Sequence, residues 1–354
     1  MNTFEQMVQR QHERVCFHQD LDTGLRAIIA VHSTTLGNAL GGTRRWHYAT
    51  EADALYDALR LSEAMTHKAA VSDLPMGGAK SVILLPRPGH AAGEAEARAM
   101  GRFVETFNGA YIAAEDVGVT PQYMDWMRTE TRHAMGGQRG GDPSPYTAQG
   151  VILAMRAVLA HQGRPTDLSG LTVAVQGAGH VGLCLIRLLS AEGARIIVSD
   201  IDKDLVAAVV DEFGATACAP DKILTTECDI LAPCALGGVI SAKIVNRLHC
   251  SIIAGAANNV LDDPDEDAVA LRNQGILYAP DVIANAGGLI HLAGLYLGLS
   301  EQEIDRKIEN IETTMAGVLQ EAESLPSTYA AMIACAERRI AGGNPADKER
   351  VHAG

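Results

Sequence analysis

The sequence predicts an α/β protein with two domains, and three observations support this fold class. Short apolar runs alternate with amphipathic helical runs along the chain, as they do in α/β folds. The 354 residues are more than one ordinary domain contains. Residues 136–145 hold four glycines and two prolines, a composition typical of a hinge between domains. We therefore expect a first domain up to about residue 146 and a second domain after it.

A helix over residues 51–68 is the clearest element of the first domain. Thr50 and Asp53 have the spacing of a capping box, which starts a helix. Residues that recur every three or four positions form one face of this helix, namely Ala54, Ala58, Leu61, Met65 and Lys68. Lys68 therefore ends an apolar face instead of lying on the solvated side.

A second lysine, Lys80, follows Gly77 and Gly78 and precedes the apolar run 81–85. We expect the glycines to form a loop and residues 81–85 to form a buried strand. A lysine at the edge of an apolar layer has a lowered pKa, which suits a catalytic base. The alternative is that Lys68 extends along the surface and Lys80 is an exposed loop residue. The residue pattern alone leaves both interpretations open.

The remaining elements follow from similar patterns of apolar residues, glycine and proline. In the first domain we predict strands at 25–32 and 111–114, a turn at 40–43 and a helix at 92–107. The second domain begins with a predicted helix at 147–161. Its predicted strands are 171–176, 195–199, 229–231, 251–254 and 276–278, and the end of the chain from Ala286 is mostly helical.

The run 176–182 is a Gly-x-Gly-x-x-Gly motif that joins a predicted strand to a predicted helix. The next strand is followed by Asp200, 23 residues after Gly177. This context indicates a Rossmann-type dinucleotide site, where glycines let a pyrophosphate approach a helix N-terminus. A carboxylate at position 200 binds ribose hydroxyls and repels a 2′-phosphate, so we expect NAD rather than NADP. The predicted cofactor residues of this motif are Gly177, Gly179, His180, Val181, Gly182 and Asp200.

The alternative for this motif is a glycine turn used only for packing a helix on a strand. If it binds NAD, the cofactor domain is the second one, because 175 residues precede the motif. The lysine pair then belongs to the first domain. A cleft between the two domains is the expected active site.

The composition argues against several kinds of function. A net charge of −14 and an aromatic content of 4% disfavour nucleic acid or an anionic membrane as a partner. The chain has no run of about 18 apolar residues and no signal-peptide pattern, so we expect a cytoplasmic protein. The seven cysteines include no Cys-x-x-Cys, and the twelve histidines include no His-Glu-x-x-His. We therefore expect a reduced chain without a metal site.

Eight short runs occur in the order found in a known family: 40–44, 65–68, 77–80, 115–118, 145–148, 232–237, 255–259 and 285–288. Together they resemble the glutamate/leucine/phenylalanine/valine dehydrogenases, most closely the leucine type, over almost the whole chain. The resemblance implies an oxidoreductase that reversibly deaminates an L-amino acid to a 2-oxo acid and ammonia with NAD. It implies a homo-oligomer, from dimer to octamer, and a C-terminal helix at 326–341 that returns to the first domain. On this basis residues 1–146 with 325–354 form the substrate and oligomerisation domain, and residues 147–324 form the NAD-binding domain.

The resemblance also implies roles for single residues. Lys68 would bind the substrate α-carboxylate, Lys80 would be the catalytic lysine that acts on water, and Asp116 would shuttle protons. Physical chemistry agrees, because carboxylate binding needs a charged lysine whereas base catalysis needs one with a lowered pKa. The implied residues at the nicotinamide end are Thr147 and Asn258, and Ala235 is a further implied cofactor-binding residue. Those lining the substrate site are Gly42 and Asn285.

The implied pocket for the substrate side chain is apolar, with Leu40, Ala114, Leu289 and Leu292 at its positions. No charge is present there to bind the γ-carboxylate of glutamate, so we expect leucine, valine or isoleucine. The combination of Ala114 and Leu289 is mixed between leucine-type and phenylalanine-type members, so phenylalanine or tryptophan is an alternative. A third possibility is an NAD-binding regulatory protein that has lost catalysis. Three residues depart from the family pattern, namely Ala69, Ala79 and His291.

Overall fold

The computed structural model describes residues 2–137, 141–235 and 237–342. The chain divides into two compact units. The first contains the described residues of Met1–Gly141, Leu295–Gly298 and Ala336–Gly354, and the second contains those of Asp142–Gly294 and Leu299–Cys335. Three predicted segments reach outside the described residues, at positions 138–140 of the hinge, 236 of the run 232–237, and 343–354 of the C-terminal segment.

The first unit contains a five-stranded mixed sheet. Its strands are β1 (Arg14–Gln19), β2 (Arg26–Ser33), β3 (Ala39–Trp46), β4 (Gly77–Leu84) and β5 (Tyr111–Glu115). Its helices are α1 (Thr3–Gln9), α2 (Glu51–Val71), α3 (Glu94–Glu105) and α4 (Pro121–Met127). The strand order is β1-β2-β4-β3-β5, and only β2 runs antiparallel to its neighbours. The parallel strands β4, β3 and β5 therefore point their carboxyl ends at the same edge of the sheet.

The glycine pairs of the first unit lie inside strands, and two predictions about them are wrong. The predicted turn at 40–43 is the middle of β3, where a Cβ on Gly41 would lie 1.8 Å from a backbone oxygen of β4. The predicted loop before Lys80 is the start of β4, where a Cβ on Gly77 would lie 1.9 Å from the Ser33 carbonyl oxygen. In both places glycine permits close approach of two backbones instead of making a turn.

The helix α2 begins as predicted and continues past its predicted end. Thr50 and Asp53 form both hydrogen bonds of the capping box, which confirms that prediction. Lys68 lies in the last turn of α2. The helix packs directly on β4, because a Cβ on Gly78 would lie 2.1 Å from the Thr66 backbone nitrogen.

Both faces of this sheet are covered by apolar side chains. Ile29 on β2, Met100 on α3 and Tyr111 on β5 belong to one cluster of buried residues. Ile28, Leu59 and Val82 belong to another cluster, with contributions from β2, α2 and β4. Successive residues of a strand point to opposite faces, so Ile28 and Ile29 mark the two sides of one buried sheet.

The second unit contains a six-stranded parallel sheet. Its strands are β6 (Thr172–Gln176), β7 (Arg195–Ser199), β8 (Thr216–Ala217), β9 (Ile230–Pro233), β10 (Ile252–Ile253) and β11 (Leu277–Tyr278). The order is β11-β10-β9-β6-β7-β8. Counted from β6, this is the 3-2-1-4-5-6 order of a Rossmann fold, with its switch point beside β6. The predicted two-domain α/β fold class is confirmed.

The helices of the second unit complete the α/β arrangement. They are α5 (Ser144–His161), α6 (His180–Ala191), α7 (Lys203–Phe213), α8 (Ala242–Val245), α9 (Pro264–Asn273), α10 (Asp281–Ala284), α11 (Gly287–Tyr296), α12 (Glu301–Ala322) and α13 (Thr328–Ala341). The last residues of α11 and α13 belong to the first unit. Among the described residues, no helix is long and apolar enough to cross a membrane.

Candidate active site

Lys80 and Asp116 meet over Gly42 in the first unit. Lys80 lies in β4 and Asp116 directly follows β5, with β3 between the two strands. The Lys80 Nζ donates a hydrogen bond to Asp116 Oδ2. Gly42 leaves room for this pair, because a Cβ on it would lie 2.8 Å from Asp116 Cβ and 3.1 Å from Lys80 Nζ. The structure thus brings three predicted site residues into one group.

A second cation contacts the same carboxylate oxygen. Arg44, in β3, donates from Nε to Asp116 Oδ2 at 3.1 Å and from Nη1 to Asp57 Oδ2 at 2.8 Å. Asp57, in α2, also accepts hydrogen bonds from Tyr48 at 2.8 Å and Arg60 at 3.1 Å. The sequence interpretation missed Arg44 and Asp57. The only signal for Arg44 was its place at the end of the family-like run 40–44.

The surroundings of this group shift the pKa values of both Lys80 and Asp116. Burial lowers the pKa of Lys80; Asp116 opposes this effect, and Arg44 adds to it. Burial alone would raise the pKa of Asp116, but Lys80 and Arg44 outweigh burial and lower it. Lys80 is only 5% exposed, so the alternative of an exposed loop lysine is wrong.

The other predicted residues of the first unit lie on the same sheet and on the helix above it. Ala114 in β5 is the register partner of Gly42 in β3, so it borders the lysine–aspartate pair. Leu40 is fully buried and lies two residues before Gly42, on the same face of β3. Lys68 is half-buried near the end of α2.

In the second unit, the loop after β6 forms a cradle of backbone atoms. Gly177 has a φ of +103°, which favours glycine. A Cβ on Gly182 would lie 2.0 Å from the Gly177 carbonyl oxygen, and one on Gly177 would lie 2.9 Å from the Cβ of Ala235. Gly179 and His180 are exposed at the N-terminus of α6, where no side chain caps the helix. The helix N–H groups and dipole at this end favour an anion.

Asp200 holds this loop in place. One of its carboxylate oxygens accepts the Ala178 N–H at 2.7 Å, and the other accepts the Asp202 N–H at 2.9 Å. A carboxylate has about four lone-pair sites, so both oxygens keep capacity for further donors. Val181 is half-buried in the first turn of α6. The residues predicted for the dinucleotide therefore lie together beside the switch point of the sheet.

A second group in the same unit joins Asn258 and Asn285. The Asn285 Nδ2 donates to Asn258 Oδ1 at 2.9 Å and approaches two backbone carbonyl oxygens at 3.2 Å. Asn285 is buried. Thr147, near the start of α5, lies against the start of α11, because a Cβ on Gly288 would lie 2.4 Å from Thr147 Oγ1.

The helix α11 carries the last predicted pocket residues, Leu289 and Leu292, both half-buried. His291 on this helix stacks on Tyr146, with ring centroids 3.8 Å apart and planes 11° apart. The predicted substrate residues thus fall in both units. Leu40, Gly42, Lys68 and Ala114 belong to the first, and Asn285, Leu289 and Leu292 belong to the second.

No group of three or more His, Cys, Asp or Glu side chains in the described part of the chain could hold a metal ion. The seven cysteines are free thiols. The described residues offer a buried lysine–carboxylate pair and a backbone cradle for an anionic ligand.

Two family descriptions match the chain. Residues 11–133 match the "Glu/Leu/Phe/Val dehydrogenase, dimerisation domain", and residues 198–341 match "Glutamate/Leucine/Phenylalanine/Valine dehydrogenase". The first match includes Lys80 and Arg44, on strands β4 and β3, and Asp116, which follows β5.

Individual relatives resemble the chain over almost its full length. Leucine dehydrogenases from Thermoactinomyces intermedius and Geobacillus stearothermophilus are 44% and 45% identical over 346 and 348 residues, which is 96% of this chain and 94% of each relative. The crystal structure of L-tryptophan dehydrogenase from Nostoc punctiforme superposes with a TM-score of 0.86 at 38% identity, covering 97% of this chain and 99% of that one. The relatives share the fold and differ in the amino acid for which they are named.

Proposed function

The chain belongs to the glutamate/leucine/phenylalanine/valine dehydrogenase family and is an NAD-dependent L-amino-acid dehydrogenase, and we propose that its substrate is leucine, valine or isoleucine. The observation that carries this proposal is that the four residues we assign to the side-chain pocket are all uncharged and apolar, namely Leu40, Ala114, Leu289 and Leu292. The similarity to leucine dehydrogenases supports it. Membership of this family of enzymes leaves no support for a regulatory protein without catalysis.

The glycine loop after β6 fits a dinucleotide. Side chains at positions 177 and 182 would clash with Ala235 and with the Gly177 carbonyl oxygen. The glycines therefore keep the loop tight, which leaves the N-terminus of α6 open to a pyrophosphate. We assign Asp200 to the ribose hydroxyls, because both of its carboxylate oxygens keep capacity for further donors. NAD, when bound, accepts the hydride that the amino acid loses. We assign Thr147 and Asn258 to its nicotinamide end, and Ala235 is a further proposed cofactor-binding residue.

We assign the proton transfers to Lys80 and Asp116. Loss of hydride turns the amino acid into an imine, which water must attack to give the 2-oxo acid and ammonia. The neutral Lys80 amine takes a proton from the attacking water, and burial helps because it lowers the lysine pKa. Asp116, hydrogen-bonded to Lys80, accepts this proton from the Lys80 ammonium and passes it to the amino nitrogen of the carbinolamine. The C–N bond then breaks to release ammonia, and the carbinolamine hydroxyl proton passes to Lys80 as the carbonyl group forms.

We assign substrate binding to Lys68, Gly42 and Asn285. Lys68 supplies a positive charge for the α-carboxylate from the last turn of α2, and a charged lysine binds a carboxylate strongly when water is scarce. Gly42 offers space beside the proton-transfer pair, since any Cβ would fill it. Asn285 is fixed by its hydrogen bond to Asn258, which links the substrate residues of the second unit to those assigned to NAD.

A second candidate substrate is an aromatic amino acid. The L-tryptophan dehydrogenase structure is similar over nearly the whole of both chains, so this fold accommodates more than one substrate class. Apolar pockets also discriminate weakly, at about 1–3 kcal/mol per methylene group. Phenylalanine and tryptophan therefore belong in the same experiment.

The purified protein is incubated with NAD and L-leucine, L-valine, L-isoleucine, L-phenylalanine, L-tryptophan or L-glutamate at alkaline pH, and NADH absorbance is followed. We expect kcat/KM to be at least about tenfold higher for a branched-chain substrate than for either aromatic one. A best rate on phenylalanine or tryptophan would select the second candidate. A best rate on glutamate would contradict the apolar pocket altogether.

We also propose that the enzyme is a homo-oligomer and that residues 1–146 with 325–354 serve substrate binding and assembly. The match of residues 11–133 to a dimerisation domain supports this. Residues 147–324 are assigned to NAD. Light scattering on a sizing column gives the mass of the assembly, and a monomer at micromolar concentration would contradict the proposal.

A further inference from the structure

A chain of alternating charges extends from Lys80 away from the proposed site of chemistry. Lys80 and Arg44 both donate to Asp116 Oδ2, and Arg44 continues to Asp57. Arg60 then donates to Asp57 Oδ1 at 3.1 Å. The order along the chain is therefore cation, anion, cation, anion, cation. The proposed reaction uses only the first two members and leaves Arg44 and Asp57 without a role.

We propose that Arg44 and Asp57 are positioning residues that set the proton exchange of the Lys80–Asp116 pair. This inference rests on the proposed roles of Lys80 and Asp116. In this proposal Arg44 competes with Lys80 for Asp116 Oδ2. Asp57 weakens that competition, because it also binds Arg44. Neither residue needs to contact the substrate.

Arg44 is suited to this task because its charge is permanent. A guanidinium stays protonated at every working pH, so Arg44 places a fixed positive charge beside Asp116. It therefore weakens the hold of that carboxylate on the Lys80 ammonium. The side chains of Arg44 and Asp57 are 22% and 15% exposed, so salt screens their influence less than it screens surface charges. The planar fork of Arg44 also reaches both carboxylates at once.

The pKa values around Lys80 agree with this arrangement. Of the neighbouring charges, Asp116 raises the Lys80 pKa, Arg44 lowers it and Asp57 raises it. Two tyrosines, Tyr48 and Tyr111, also face the group. Burial raises the pKa of both phenols, to about 12 for Tyr111. They stay neutral near the working pH and add no charge. Lys68, on α2, is unchanged in every variant described below.

Two substitutions should shift the pH dependence in opposite directions. In Arg44→Gln the fixed positive charge is lost and the Lys80 pKa rises. The rising limb of the plot of kcat/KM against pH therefore moves to higher pH. In Asp57→Asn a negative charge is lost, the Lys80 pKa falls, and the limb moves to lower pH. A charge within about 4–6 Å of a titrating group shifts its pKa by about 1 unit or more. Because Arg44 shares an oxygen atom with Lys80 and Asp57 does not, we expect about 1 pH unit for Arg44→Gln and less for Asp57→Asn.

Arg44→Lys and Arg98→Gln are the matched controls. Arg44→Lys keeps the charge and should return most of the limb to its original position. Arg98 lies in the same unit and also pairs with two carboxylates, those of Glu94 and Glu130, so Arg98→Gln should leave the limb in place. General damage to the fold would lower the rates of several variants without opposite shifts.

The measurements are pH profiles of kcat/KM and, separately, the pH dependence of Lys80 acetylation by acetic anhydride, read by mass spectrometry. The second readout needs no turnover and keeps the test valid for a slow variant. Opposite shifts in both readouts support the proposal. Shifts in the same direction, or none, overturn it. Absence of amino-acid-dependent NADH formation in the unmodified enzyme would instead overturn the proposed function, whatever the acetylation shows.

Discussion

Lys80 and Asp116 form an ion pair although their strands are not neighbours, because Gly42 on the strand between them has no side chain. Three strands therefore form the pair: β4 carries Lys80, Asp116 directly follows β5, and β3 leaves the space at Gly42. A rigid sheet positions these groups more closely than a loop would. The base catalysis that we propose for Lys80 therefore depends on the absence of a single methyl group at position 42.

Gly42→Ala tests this dependence. The new Cβ would lie 2.8 Å from Asp116 Cβ and 3.1 Å from Lys80 Nζ, so the pair must separate. Misplacement of catalytic groups by about 1 Å can cost ~100-fold in rate, and we expect a loss of that order in kcat. Calorimetry should show a loss of stability of about 1–3 kcal/mol. A variant with near-normal kcat would contradict the geometry.

Asp200→Asn tests the preference for NAD. The amide oxygen can still accept the Ala178 N–H that Asp200 accepts at 2.7 Å. The charge is lost, together with the hydrogen bond from the Asp202 N–H to the other carboxylate oxygen. We expect the ratio of kcat/KM for NADP to that for NAD to rise about tenfold or more, since like charges in contact cost several kcal/mol. Asp202→Asn, which removes the carboxylate that caps α7, is the control. An unchanged ratio in Asp200→Asn would refute the assigned role.

Ala114→Gly tests the side-chain pocket. Ala114 is the register partner of Gly42, and its removal enlarges the space beside the pair by one methyl group. We expect the ratio of kcat/KM for phenylalanine to that for leucine to rise roughly tenfold. Ala113→Gly is the control, because Ala113 points to the opposite face and is packed in the core. A fall in the ratio for Ala114→Gly would exclude this position from the pocket.

Stability at acid pH follows from a row of histidines in the first unit. His12 and His32 are each 8% exposed, and burial lowers the pKa of His12 to about 4 and also lowers those of His32 and His67. Between pH 6.5 and about 4 the unfolded chain binds protons that the folded chain does not, so stability falls as pH decreases through this window. We expect His12 to account for roughly 2 kcal/mol after allowance for solvent screening.

Urea unfolding at a series of pH values measures this effect. The His12→Asn variant cannot titrate at this position, so its free energy of unfolding should change less steeply with pH than that of the unmodified protein. His32 and His67 would still contribute a slope. Equal slopes of the free energy of unfolding against pH for the two proteins would show that His12 does not cause the loss of stability at acid pH.

Local patterns predicted the elements that depend on local chemistry. The capping box of Thr50 and Asp53 marked the start of α2, and the glycine motif with Asp200 marked the NAD unit, because each is set by spacing within one short segment. The glycine pairs of β3 and β4 misled, since the same residues serve turns and close backbone contacts. Only the neighbouring strand distinguishes the two uses.

The Arg44–Asp57 pair could not be predicted for a different reason. The two residues are on a strand and a helix, and their contact depends on how α2 packs against the sheet. Arginines and aspartates are common surface residues, and the composition does not indicate which residue either of them contacts. Likewise, the stacking of His291 on Tyr146 follows from the packing of α11 on α5, although His291 alone was visible as a departure from the family.

The most direct test of the account is the turnover of Lys80→Ala with its preferred amino acid and NAD. General acid–base catalysis contributes ~100-fold or more, so we predict kcat at least that much lower, with NAD binding by fluorescence titration unchanged. Retention of more than about a tenth of the rate, in a variant that still binds NAD, would contradict the assignment of Lys80 as the base.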